Sequence, residues 1–167
     1  MTKPRRNHAI VFSFRDTVEG NGFLARVTTR GRALLANDDN SWWVYGVQPG
    51  AIADSGDSPQ GAYASFRQAF TKVLFDFAAG AANFTEFERD VQAFIAAVDE
   101  SEEGRWRSAV EALRSGEQEP EAPFDQLPRV NADEYDYGVV VERLDVGQRH
   151  FTPEENRIDE YALTNCA

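Results

Sequence analysis

The sequence predicts an α+β fold. An antiparallel sheet of three to four strands packs with one helix, and a helical extension and an acidic strand/helix segment follow. Three observations predict it. The first 48 residues hold strand-like runs separated by short polar turns, residues 58–80 read as a capped, apolar-striped helix, and two more helical stripes precede a proline-rich acidic stretch. The expected organisation is a 1–80 α+β core, an 81–116 helical extension and a 117–167 acidic region with a linker, a strand and a short C-terminal helix.

Residues 8–14, His-Ala-Ile-Val-Phe-Ser-Phe, are rich in β-branched and aromatic side chains and read as a strand. Glu19-Gly20-Asn21-Gly22 is a turn signal rather than a phosphate cradle. In residues 23–35, Phe23, Ala25, Val27 and Thr29 alternate with Leu24, Arg26, Thr28 and Arg30, which places arginines on one face of a second strand. Asn37-Asp38-Asp39-Asn40 is a turn cluster, and Trp42 to Val47 form a third strand. Ser58 is suited to cap a helix and Pro59 to its first position, where a missing N–H costs nothing. Ala62, Tyr63, Phe66, Ala69, Phe70, Val73, Leu74 and Phe77 make its apolar stripe and Gly80 its end. A second helix is expected over Thr85 to Asp99, with Thr85 and Glu88 at capping-box spacing, and a third over Glu102 to Ser115. Residues 116–130 carry three prolines and four acids and read as a linker or extended arm. Residues 135–144 read as another strand, and Thr152-Pro153-Glu154-Glu155 as a helix start.

The net charge of −11 is uneven. Residues 116–167 hold 13 acids against 4 bases, whereas the first 32 residues hold 7 bases against 2 acids. Such a balance repels nucleic acid and attracts basic partners. No apolar run approaches the roughly 20 residues that span a bilayer, and no signal-peptide apolar region follows the N-terminus, so the expectation is a cytoplasmic protein off the membrane. The one cysteine, Cys166, excludes an intrachain disulfide.

Catalytic motifs are scarce. His8 and His150 lack ligand partners at metal-binding spacing, and no nucleophile elbow, phosphate loop or dinucleotide fingerprint occurs. Asp16, Asp38, Asp54 and Asp57 are the carboxylates from which a divalent-metal hydrolase or nuclease would be built, but they lie at strand ends and turns, where Asp is favoured for backbone bonding. Arg26, Arg30 and Arg32, with Lys3, Arg5 and Arg6, could form a basic strip for nucleic acid, against which the overall charge argues. The acidic polar face of residues 85–115 opposes a DNA-reading helix pair. Strand alternation sends Trp42 and Trp43 to opposite faces, one to the core and the other half exposed; exposed Trp and Tyr suit interface anchoring.

Residues 43–62 carry a resemblance. Trp43-Val44-Tyr45-Gly46-Val47-Gln48-Pro49-Gly50, then Gly56-Asp57-Ser58-Pro59 and Ala62, resemble the strand, Pro-Gly turn, Gly-Asp-(Ser/Thr)-Pro turn and helix of the HicB-like antitoxin family. The chain departs from the family at Ala51, Gln60 and Gly61, and the match spans about residues 8–80. The resemblance implies a β-β-β-α-β unit like a reduced RNase H fold. It implies a non-enzymatic antitoxin, without cofactor or metal, that covers the active surface of a small basic RNA-cleaving toxin. Trp42, Tyr45, Asp133, Glu134 and Asp136 are the expected partner-binding residues. Exposed sheet edges make a homo-oligomer reasonable. The alternatives are the metal-dependent hydrolase and a stand-alone structural or inhibitory protein of a mobile element.

Overall fold

A computed structural model describes residues 6–145 and the backbone of residues 160–164. Strands β1 (Asn7–Gly20) and β2 (Phe23–Asp38) pair along their whole length, from Asn7 opposite Ala36 to Gly20 opposite Phe23. Asn21-Gly22 closes this hairpin, and Gly22 takes a φ of 76°, open to glycine at no steric cost. The first strand is therefore longer than the sequence predicts: Asp16 to Gly20 continue it. Asp39 and Asn40, at φ 49° and 67°, turn the chain into β3 (Ser41–Gln48), which runs back along β2. Short β4 (Ala53–Gly56) then pairs with β3.

Helix α1 (Pro59–Gly80) starts as predicted, with the Ser58 hydroxyl accepting from the Gly61 N–H at 2.9 Å. Helix α2 (Phe84–Ala96) starts one residue earlier than expected and ends three residues earlier. Asn83, not Thr85, is the cap, and the Glu86 carboxylate reaches back to the Ala82 N–H at 2.9 Å. Helix α3 (Glu100–Arg114) is capped by Asp99. A single 3-10 turn (Phe124–Gln126), β5 (Arg129–Val130), β6 (Gly138–Arg143) and β7 (Glu160–Thr164) follow. The helix expected from Thr152, and His150 and Cys166, lie outside the described residues.

Among the described residues seven strands form one curled, largely antiparallel sheet, six of them in the order β4-β3-β2-β1-β7-β5 and β6 paired to β2, where the sequence predicts three to four. The outer edge of β2 is shared: β3 occupies residues 32–38 and β6 residues 25–30. At the handover the β2–β3 ladder shifts register, and Val47 is the extra residue on β3.

Both faces of the sheet are covered. On one, Ile10, Phe12, Phe14 and Val18 meet Phe66, Phe70 and Leu74 of α1 and Phe87, Val91 and Ile95 of α2. Phe12 meets Phe66 edge to face, with ring centres 5.4 Å apart. On the other, Ala9, Val11, Leu34 and Val47 meet Trp106, Ala109 and Val110 of α3. The segment read as a helical extension therefore supplies one helix to each face, and α2 and α3 do not form a helix-turn-helix pair.

The Pro-Gly turn explains its own composition. The Gly50 N–H donates to the Ala97 carbonyl at 2.9 Å, and the Asp99 N–H to the Val47 carbonyl at 3.0 Å, so the turn clamps the α2–α3 linker. A Cβ on Gly50 would lie 2.3 Å from the Asp99 nitrogen, and one on Gly56 2.5 Å from that of Ala62. Gly104, in the middle of α3, has open space instead. Gly50→Ala is expected to destabilise by about 1–3 kcal/mol through overpacking, and Gly104→Ala to stabilise by about 0.5–1 kcal/mol through helix propensity. Urea-unfolding midpoints of the two variants check both signs.

Candidate functional site

The period of two along β2 places Arg26, Arg30 and Arg32 on the α3 face, as the sequence predicts, but they do not make one strip. Arg32 is only 7% exposed. Its Nη1 donates to Glu103 Oε1 at 2.9 Å and its Nη2 to Gln48 Oε1 at 3.1 Å. The guanidinium lies 5.2 Å from the Trp106 ring centre and 5.3 Å from that of Tyr137. Charge-assisted bonds and two aromatic faces together offset the cost of burying the cation. Arg32 is thus withdrawn from any phosphate. Arg6 pairs with Glu121, Arg30 lies over the Tyr135 ring, and Lys3 and Arg5 lie outside the described residues.

Arg32 orders its neighbours electrostatically. Its hydrogen bond, aided by Arg107, holds the Glu103 carboxyl below the usual glutamate range. Burial pushes the Tyr137 hydroxyl up to about 12, so it remains a donor at any physiological pH. That hydroxyl donates to the Ala132 carbonyl at 2.9 Å and closes a turn over residues 132–137.

This turn carries the three predicted acids. Ala132 is buried against α3, and the Asp133 N–H donates to the Asn131 side chain at 3.0 Å. Asp133, Glu134 and Asp136 are exposed, and Asp133 meets Arg114 of α3 at 3.0 Å. The expected strand over 135–144 therefore begins only at Gly138, because Tyr135 and Tyr137 are used as packing anchors on the α3 side.

The two predicted aromatic anchors part company. Trp42 packs with the α1-side core, its ring 5.7 Å from Phe124. Tyr45 lies on the α3 face, donates to Asp38 Oδ2 at 2.8 Å and has the Arg105 guanidinium 5.4 Å from its ring centre. Trp43, named in the family motif but not as an anchor, stacks on Tyr45 at 5.7 Å and 9° and is the half-buried tryptophan on this face. The i, i+2 spacing of Trp43 and Tyr45 was the signal for it. Beside them a cleft of about 290 Å³ is lined by Tyr45, Gly50, Ile52, Asp99 and Glu102, among others. The turn acids and the Trp43–Tyr45 stack thus share the α3 side of the sheet.

The other carboxylates are dispersed. Asp16 accepts from the Thr71 hydroxyl at 2.9 Å, Asp38 from Tyr45, and Asp54 from the Ser55 N–H at 2.8 Å, while Asp57 precedes the cap of α1. Among the described residues no group of three or more His, Cys, Asp and Glu side chains is placed to hold a metal ion. No described helix is long and apolar enough to cross a membrane.

No family model matches this chain, and no curated protein and no solved structure matches it.

Removing Arg32 leaves Glu103 and Gln48 without their shared donor. Glu103 keeps Arg107 at 3.0 Å, so Arg32→Ala is expected to cost about 1–3 kcal/mol by urea unfolding. The depressed Glu103 carboxyl contributes stability that is present above the ordinary glutamate range and is lost as pH falls through its lowered value. Glu103→Gln is expected to lower stability at pH 7 and to flatten the decline below about pH 4.5, where glutamates protonate. Unfolding midpoints from pH 7 to pH 3 test this.

Proposed function

We propose that this chain is a non-enzymatic binding module that engages a small basic protein, as its resemblance to HicB-like antitoxins implies. The observation that carries the reading is the turn bearing Asp133, Glu134 and Asp136. Buried Ala132 and half-buried Tyr137 fasten it at both ends, so its carboxylates are set before a partner arrives. A preorganised charged loop loses little freedom on association and steers an oppositely charged partner. The Trp43–Tyr45 stack and the cleft with Asp99 and Glu102 supply the apolar and acidic contacts a basic surface would take up. The action would be steric cover of the partner's active surface.

The test is capture from native cells with the tagged chain at low salt, where charge-driven pairs persist. A small basic protein at near-equal stoichiometry is expected. The combined reversal Asp133→Lys, Glu134→Lys, Asp136→Lys is expected to slow its association at least about tenfold and to weaken the salt dependence. Trp43→Ala is expected to speed its dissociation. Unchanged kinetics in the triple variant would remove the turn from the interface, and an empty low-salt capture would remove the basic-partner reading.

A further inference from the structure

The segment 117–128 leaves the end of α3 on one face of the sheet and anchors on the other. Phe124 is 2% exposed and belongs, with Leu127, to the α1-side core, whereas Val130 and Ala132 return to the α3 side. The segment therefore straps the end of the sheet where β1 begins. Its internal backbone bonds are local, including Phe124 N–H to the Glu121 carbonyl at 2.7 Å and Leu127 N–H to the Phe124 carbonyl at 3.2 Å. Its middle is held by the exposed Arg6–Glu121 ion pair and, in the core, by Leu127 and above all by Phe124, and the ring beneath Phe124 is His8.

The two rings stack at 3.9 Å and 15°, and Trp42 closes the third side, 6.3 Å from His8. His8 is 3% exposed, and its Nδ1 is buried with no hydrogen-bond partner. A neutral imidazole tolerates this, because one nitrogen can be a bare acceptor. A protonated one does not, because both nitrogens are then donors and Nδ1–H would be a buried, charged donor without an acceptor. Stacking of the cation on Phe124 returns only a fraction of that cost.

The geometry points to a pH-operated strap: protonation of His8 expels Phe124 and releases residues 117–128 from the end of the sheet. This inference does not depend on the binding proposal. The neighbours of His8 agree with it. Leu35 of β2 lies opposite in the ladder, Trp42 comes from β3 and Phe124 from the strap, and none can titrate in this range. The charged groups acting on the ring are Arg6, which opposes protonation, and Glu121 of the strap, which favours it. Asp125, the carboxylate on the 3-10 turn, is exposed.

Burial, with a smaller contribution from Arg6, depresses the His8 imidazole from 6.5 to about 4. The docked strap prefers neutral His8, so docking is at full strength above pH 6.5 and weakens as pH falls toward 4. With an ordinary histidine in the released form, the opening equilibrium rises on the order of 100-fold between pH 7 and pH 4.

The experiment is NMR of the full chain from pH 7.5 to 4, following the Phe124 and Leu127 amides, the Trp42 indole N–H and the His8 ring protons, with hydrogen exchange corrected for intrinsic rates. The strap amides are expected to lose protection on the order of 100-fold across that range, while α1 amides from Phe66 to Leu74 stay protected. His8→Phe, which keeps the stack and cannot titrate, should keep the strap docked to pH 4, and Glu121→Gln should retain the transition. A strap that stays docked at pH 4 in the wild type would overturn the inference. So would release at the same pH in His8→Phe, or loss of α1 protection in step with the strap. Should His8→Phe not fold, the His8 ring protons decide within the wild type. Titration at an ordinary histidine value with the strap still protected would also sink the idea.

Discussion

The burial of Arg32 is the constraint on which the second face of this protein depends. The residue stands where the outer edge of β2 passes from β3 to β6, and its guanidinium has to find partners with little access to water. Glu103 of α3 and Gln48 of β3 accept from its two Nη groups, Nε is left without an acceptor, and the rings of Trp106 and Tyr137 lie against it, so three separate parts of the chain hold it. Each partner brings its own segment with it. Glu103 and Trp106 bring the helix, and Tyr137 brings the acidic turn. Trp106 adds a second tie through its indole N–H, which donates to the Ile10 carbonyl at 3.1 Å. A buried cation thus sets the register of α3 and the position of the turn in a way that Ala109 and Val110 alone would leave loose, since hydrophobic contact has no direction.

The opposite face is held by a different physics. Its core is aromatic, with Phe12, Phe14, Phe66 and Phe70 linked ring to ring and Phe87 against Phe23. The two faces are joined by the glycine clamp of Gly50 on the α2–α3 linker and by the strap that inserts Phe124 over His8. The Pro-Gly and Gly-Asp-Ser-Pro turns are accounted for by this packing. Gly50 and Gly56 are close approaches of backbone to backbone, and Ser58 caps α1. Chemistry is not needed to explain them.

Candidate binding residues were legible to different degrees. Asp133, Glu134 and Asp136 read as surface residues because three acids crowd a four-residue stretch around Tyr135, and the fold leaves all three exposed. Trp42 and Tyr45 are three residues apart on a strand, so period-two alternation alone separates them, and the pair the fold brings together is Trp43 with Tyr45. Arg32 read as a member of a basic strip because its sequence neighbours Arg26 and Arg30 share its face. Nothing local distinguishes it from them; its partners lie 16, 71, 74 and 105 positions away in Gln48, Glu103, Trp106 and Tyr137.

By itself the sequence determined the local elements. The alternation of Phe23, Ala25, Val27 and Thr29, the Ser58-Pro59 start of α1 and its apolar stripe depend on backbone sterics and periodicity, which act between near neighbours. The tertiary structure decided which face each later element would cover. The helices at 84–96 and 100–114 each carry one apolar face, Phe87-Val91-Ile95 in one and Trp106-Ala109-Val110 in the other, yet the first joins the phenylalanine core and the second the Arg32 side. That choice follows from the volume left beside α1, from the reach of the Gly50 clamp and from the need of a buried guanidinium for a carboxylate. These are long-range conditions of packing and charge, and they exist only once the sheet has formed.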